Sequence, residues 1–249
     1  MNTELTYFRI FILSALALNG CGSLTHKKDD QALAQVKKIA VVAFTADEPA
    51  SASIGFNLNS HQAGAVAGGS IIPQHSDSVK QMLVELQNAF ARNMSWSVLA
   101  EDAMIKNPGY VSAYHNTMDG WQSKSPPNAG LNRFLVEHVM DSDSLRILGP
   151  EGRDKLITDL GVDAIAVGKV NVVNSGTSIM GIGSRHPQAN FSFTLYTRGK
   201  EDPTWFEGQI KGDESTESVG STHFTDEEAT ARLSLESAKT AFAKIGAAL

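Results

Sequence analysis

Cys21 is the only cysteine in the chain, and its thiol is the one strong nucleophile that stands in a distinctive context. It follows a short apolar run, residues 10–18, and then Gly20. The run is shorter than the roughly 20 apolar residues that a membrane-spanning helix needs. With Arg9 before it, this arrangement is typical of a cleaved secretory signal, so residues 1–20 are predicted to be a signal peptide. The alternative is an ordinary buried cysteine.

The four residues that end at Cys21, LNGC, resemble the lipobox of bacterial lipoproteins. The resemblance implies that a diacylglycerol is attached to the thiol, that the preceding peptide bond is cut, and that the new amino group is acylated. Two or more acyl chains, palmitate among them, make such membrane anchoring stable. Gly22 in place of aspartate implies export to the outer membrane, facing the periplasm. Residues 21–36 are then expected to be the lipidated cysteine and a polar tether.

The remaining polar residues form no recognised catalytic or metal-binding motif. None of the seven histidines pairs with another histidine or with glutamate in an HExxH or other close metal-ligand spacing, and the sequence has no GxSxG elbow and no GxGxxG loop. We therefore predict no metal, no cofactor and no catalysis. Asp141, Asp143 and Glu151 lie near one another in sequence and are expected to be solvated or helix-capping carboxylates, with a catalytic pair as the alternative.

Two segments contain candidate interaction residues. Aromatic residues are enriched in protein interfaces, and an irregular middle segment has three, each of which could instead pin that segment to the core: Tyr110, Tyr114 and Trp121. Residues 45–75 are rich in Gly, Ala, Ser and Asn without clear periodicity, so we expect a mobile insertion, with a passive loop as the alternative. Its apolar residues would then face a partner: Phe56, Leu58, Ile71 and Ile72.

Hydrophobic periodicity predicts the elements that must position these residues. Apolar, β-branched or alternating runs predict strands at residues 37–44, 96–99, 163–173, 191–196 and 205–210. An apolar stripe predicts a helix from a capping box at Ser78 to about Phe90. Further helices are expected near 134–139, from Pro150 to a stop at Gly161, and over the last residues of the chain.

Composition bounds the class of protein. The chain is 42% hydrophobic, enough for a real core, and its formal net charge of −6 argues against a nucleic-acid binder. With one cysteine, no disulfide can form within the chain. The prediction is a single α/β (α+β) domain over residues 37–249, with a mixed four- to five-stranded sheet packed with helices and irregular insertions at 45–75 and 101–149.

The order of these elements resembles the small periplasmic α/β domain of several outer-membrane lipoproteins. The opening strand KKIAVVAF, the strand WSVLAED and the helix-to-strand segment LITDLGVDAIAVGKV show the likeness. Similar domains occur in the curli-secretion channel family, in lipoprotein activators of penicillin-binding proteins, and in the amino-terminal domain of the Tol–Pal translocation protein. The resemblance covers roughly residues 37–100 and 150–249, and it implies a non-catalytic assembly or docking module.

We therefore expect a lipid-anchored periplasmic interaction module of the bacterial envelope, with the membrane and envelope proteins as partners. The second reading is a subunit of an oligomeric secretion channel, for which residues 45–75 and 169–197 would supply membrane hairpins. Residues 53–72 do not alternate as the 9–11-residue strands of a membrane barrel do, which ranks this reading second. An envelope enzyme is the third, because no catalytic motif supports it.

Overall fold

The fold was analysed on a computed structural model, which describes residues 26–49, 74–119, 131–175, 178–179, 182–184, 186–221, 224–225 and 227–246. A mixed β-sheet with helices on both faces forms the domain, so the predicted fold class is confirmed. The sheet has eight described strands rather than the four to five expected.

The strands are numbered along the chain. They are β1 His26–Lys28, β2 Lys38–Pro49, β3 Gln74–His75, β4 Ser97–Val98, β5 Leu131–Leu135, β6 Ala164–Ser175, β7 Ser178–Ile179, β8 Ile182–Gly183, β9 His186–Thr197, β10 Trp205–Lys211, β11 Gly220–Ser221 and β12 Phe224–Thr225. The main sheet has the order β1-β10-β9-β6-β2-β5-β3, and β4 pairs with the start of β2. Strands β7–β8 and β11–β12 form two small separate ribbons.

The helices are numbered in the same way. They are α1 Asp30–Leu33, α2 Asp77–Met94, α3 Glu101–Ile105, α4 Pro108–Met118, α5 Gly149–Leu160 and α6 Glu227–Ala243. A 3₁₀ helix, Ser144–Leu148, directly precedes α5. No helix within the described ranges has the length and apolar character needed to cross a bilayer.

Alternation along β9 shows which helices cover which face. Phe193 and Phe191 contact Phe90 of α2 and Phe242 of α6, with ring centroids 5.5 Å and 4.8 Å apart. Tyr196 has the opposite parity and lies under the guanidinium of Arg153 of α5, at 4.3 Å. Because successive strand residues point to opposite faces, α2 and α6 cover one face and α5 the other. Helix α4 and the 3₁₀ helix pack with α5 on that second face.

The helix stripes identified in the sequence form the core. The face of α2 is fully buried, as predicted: Val79, Met82, Leu83, Leu86 and Phe90. The predicted face of α6 is buried at Ala238, Ala241, Phe242 and Ile245, whereas Leu249 lies outside the described residues. Helix α5 ends as predicted, at Gly161 in the left-handed conformation with φ +61°. The predicted capping box at Ser78 is wrong, because α2 begins one residue earlier, after Ser76.

The irregular segments contain more regular structure than their composition indicates. Residues 26–36, assigned to a tether, form β1 and α1, which bury Leu33 and Val36. Residues 45–49, assigned to a mobile insertion, continue the central strand β2, and 74–75 form β3. The second irregular segment, 101–149, contains α3, α4, β5 and the 3₁₀ helix. The helix expected near 134–139 is instead the end of β5 and a turn, since β5 pairs with β2.

Candidate functional site

Six of the residues singled out in the sequence lie outside the described residues. These are Cys21, Phe56, Leu58, Ile71, Ile72 and Trp121. The other two, Tyr110 and Tyr114, lie one turn apart on α4, and they differ in their surroundings. Tyr110 is 1% exposed, so it matches the alternative, an aromatic that pins this segment to the core. Tyr114 is half-buried and reaches the surface.

The Tyr110 hydroxyl joins α4 to the central strand and to the chain after β5. It donates to the carbonyl oxygen of Val42 at 3.0 Å, with the carbonyl of His138 also near at 3.2 Å. It accepts the backbone N–H of Met140 at 3.2 Å. Burial is the main cause that raises the pKa of this phenol far above its ordinary value, so it stays protonated and can donate.

Residues 136–143 follow β5 as a turn that many bonds fix to β2. The N–H of Val139 donates to the carbonyl of Val136 at 3.1 Å, which closes the turn. Beyond it, the N–H of Phe44 donates to Met140, and the hydroxyl of Thr45 accepts the N–H of Ser142 at 2.8 Å. This segment is therefore held rigidly, although it is not a helix or a strand.

His138 occupies the third position of this turn with φ +61°. That conformation is favourable for glycine, and it costs an ordinary L-residue about 1–2 kcal/mol. The side chain of His138 is 65% exposed, so it gains little from burial. A strained, exposed residue on a rigid support is the kind of outlier that motivates a functional hypothesis.

His138 lies beside the exposed end of α4. The centroid of its ring is 6.5 Å from that of Tyr114. The ring centroid of His115 is 5.7 Å from that of Tyr114. We call this region the Tyr114 surface, and it consists of Val111, Tyr114, His115, Asp119, Glu137 and His138. Val111 is one of the few large apolar side chains that are exposed among the described residues. Burial, and then the charges of Asp119 and Glu137, raise the pKa of Tyr114, so the phenol is neutral at physiological pH.

A partly buried ion cluster lies next to the same turn, between Asp47 near the end of β2 and Lys169 in the middle of β6. It comprises three carboxylates and two cations: Asp47, Asp141, Asp143, Arg133 and Lys169. Arg133 of β5 donates to Asp47 through Nε and Nη2 at 2.8 and 2.9 Å, and its Nη1 reaches Asp141 at 3.0 Å. Lys169 of β6 contacts Asp47 at 2.9 Å and Asp143 at 3.3 Å.

The electrostatics of the cluster shift the pKa of two of its groups, Arg133 and Asp143. Burial opposes the charged form of Arg133, but hydrogen bonds and negative charges from Asp47, Asp141 and Asp143 raise its pKa overall. Burial alone would raise the pKa of Asp143, yet Lys169 and Arg133 outweigh it and lower that pKa. Each cation of the cluster contacts at least two of the carboxylates.

The ion cluster holds in place the segment that contains His138, which is part of the Tyr114 surface. Asp141 and Asp143 follow directly on the turn that contains His138, and Arg133 ties them to β2. The side chain of Asp141 is fully buried, which corrects the expectation of a solvated or capping carboxylate there. Asp143 is 39% exposed, and Glu151 is exposed in the first turn of α5, as expected. Sequence reasoning missed Arg133 altogether. A signal was present, because Asp47 and Lys169 are charged residues inside two otherwise apolar strands.

Other sites have weaker support. An open groove of about 450 Å³ lies between α1 and the end of α2, but its apolar residues Leu33, Val36 and Trp96 are at least nine-tenths buried and leave little surface for a ligand. In the described part of the chain, no three His, Cys, Asp or Glu side chains are grouped so as to hold a metal ion.

No model of a known protein family matches the sequence, and no curated protein matches it either.

Proposed function

We propose that this protein is a non-catalytic interaction module of the bacterial envelope, anchored through lipid on Cys21 and docking a partner protein through the Tyr114 surface. The observation that supports docking most directly is the backbone conformation of His138. An exposed side chain is kept in a conformation that suits glycine, on a segment that β2, Tyr110 and the ion cluster hold in place. Rigid support of exposed aromatic groups lowers the entropic cost of binding.

The lipobox resemblance at Cys21 supports the anchor and the periplasmic location. The chain between Cys21 and β1 spans at most about 18 Å when fully extended. The domain would therefore lie close to the outer membrane, and its partner would be a protein at or near that membrane.

Photo-cross-linking in living cells tests the docking surface. We would place p-benzoylphenylalanine at Val111, on the Tyr114 surface, and separately at Val84, which is 43% exposed on α2. We expect one protein to cross-link from position 111 and not from position 84, and Tyr114→Ala to abolish that product. Equal products from both positions, or an unchanged product in Tyr114→Ala, would exclude the Tyr114 surface as the docking site.

A further inference from the structure

The Tyr114 surface has two carboxylates whose charge is not balanced by a described lysine or arginine. Asp119 lies 3.3 Å from Nδ1 of His115, and Glu137 lies 3.5 Å from Nε2 of His138. Both carboxylates are strongly exposed, 70% and 75%. The ring centroids of His115 and His138 lie 5.7 and 6.5 Å from that of Tyr114, so the two carboxylates flank this residue.

Many exposed carboxylates elsewhere on the described surface differ in this respect. Asp202 pairs with Lys27 at 3.1 Å, and Asp213 pairs with Lys244 at 2.9 Å. Lysine and arginine give a carboxylate strong charge-assisted hydrogen bonds, and no described lysine or arginine is paired with Asp119 or Glu137. The Tyr114 surface therefore combines an aromatic ring with two exposed carboxylates, groups that a guanidinium can bind.

We propose that the partner docks there through an exposed arginine, placed over the Tyr114 ring and bound by Asp119 and Glu137. This inference rests on the proposed docking function and specifies the partner's chemistry. An aromatic face attracts a cation, and a guanidinium stacks on a ring while its N–H groups bind carboxylates. Arginine and tyrosine are also the residues that most often dominate the affinity of protein interfaces.

A binding measurement on the full chain, purified from membranes in detergent, tests the chemistry directly. The probe is the peptide acetyl-Gly-Arg-Gly-Arg-Gly-amide, and the matched peptide has neutral citrulline at both arginine positions. We expect the arginine peptide to bind about tenfold more tightly than the citrulline peptide. The double variant Asp119→Asn/Glu137→Gln should remove that preference. The variant Asp202→Asn/Asp213→Asn, which loses the same charge elsewhere, should keep it.

The cross-linking experiment separates failure of this inference from failure of the proposed function. The proposal of an arginine predicts two results. The position-111 product should be lost in Asp119→Asn/Glu137→Gln, and the cross-linked segment of the partner should contain an arginine. A product that persists in this variant would be consistent with the docking function but would overturn the proposal that the partner docks through an arginine. Equal binding of the two peptides, or no binding of either, would also overturn it.

Discussion

Arg133 on β5 holds Asp47 on the central strand β2 through two parallel hydrogen bonds, of 2.8 and 2.9 Å, across adjacent strands of the sheet. This fork geometry fixes both the distance and the orientation of the pair. The same guanidinium binds Asp141, so this side chain adds to the backbone hydrogen bonds that attach the segment after His138 to the sheet.

Replacement of Arg133 by methionine should therefore destabilise the protein severely. Asp141 would be left buried without its cation, and removal of one partner from a buried ion pair typically costs about 3–5 kcal/mol. Urea unfolding of the purified protein measures the change. Lys155→Gln, which breaks an ion pair with a largely exposed lysine, is the control and should change stability by less than about 1 kcal/mol. Equal effects of the two substitutions would contradict a structural role for the cluster.

The cluster also predicts how stability depends on pH. Because Lys169 and Arg133 lower the pKa of Asp143 despite its burial, the folded state binds a proton on this carboxyl less readily than the unfolded state does. The resulting stability is present above the ordinary pKa of aspartate, about 4, and is lost as the pH falls further through the lowered value. Acid unfolding monitored by circular dichroism should show this loss, and Asp143→Asn should make the acid limb shallower. An identical acid limb in the two proteins would disprove the linkage.

Replacement of His138 by glycine should weaken docking without lowering the stability of the fold. Glycine removes the strain of φ +61°, but it also increases the entropy of the unfolded chain by about 0.4–1 kcal/mol, so His138→Gly should leave the melting temperature unchanged or slightly raised. The position-111 cross-link should nevertheless weaken. Ser95→Gly is the matched control, because Ser95 has φ 57° at the end of α2, away from the Tyr114 surface. A cross-link that survives His138→Gly would show that the imidazole is not needed.

Phe90 tests the packing of α2 on the sheet. Its ring lies 6.0 Å from Trp96 and 5.5 Å from Phe193, and it is fully buried. Phe90→Ala should cost about 3–5 kcal/mol, because the cavity has little freedom to collapse. Val84→Ala on the exposed side of the same helix should cost much less. A melting temperature within a degree of the parent for Phe90→Ala would be incompatible with this core.

Cys21 tests the proposed anchor. Cys21→Ser should move the protein from the membrane pellet to the soluble fraction and abolish labelling with palmitate, because no other cysteine can take the lipid. A variant that remains in the pellet and still incorporates palmitate would refute lipidation at this residue.

Periodicity in the sequence predicted the elements that bury a continuous stripe, such as the α2 face and the alternation of Phe191, Phe193 and Leu195. It failed where local signals were ambiguous. A Pro-Gly pair such as Pro108-Gly109 is typical of a turn and favours an irregular segment. In the structure Pro108 occupies the first turn of α4, and Asn107 caps that helix through Gly109 and Tyr110.

The Tyr114 surface and the ion cluster were harder to predict, because both are assembled from distant segments. Arg133 lies on a strand with no clear alternation, and its partner Asp47 is far earlier in the chain. Only the pairing of β5 with β2 brings them together. His138 has an unremarkable sequence context, and its strain is visible only in the backbone.

The position of β2 in the sheet has a consequence for the order of folding. This central strand comes early in the chain, but its neighbours β4, β5 and β6 are all synthesised much later. By contrast, β6, β9 and β10 pair as consecutive hairpins and can form locally. Non-local pairing slows folding and leaves apolar segments exposed. The β2 segment is therefore synthesised long before its partners, and we expect it to be the part of the nascent chain that most needs a chaperone.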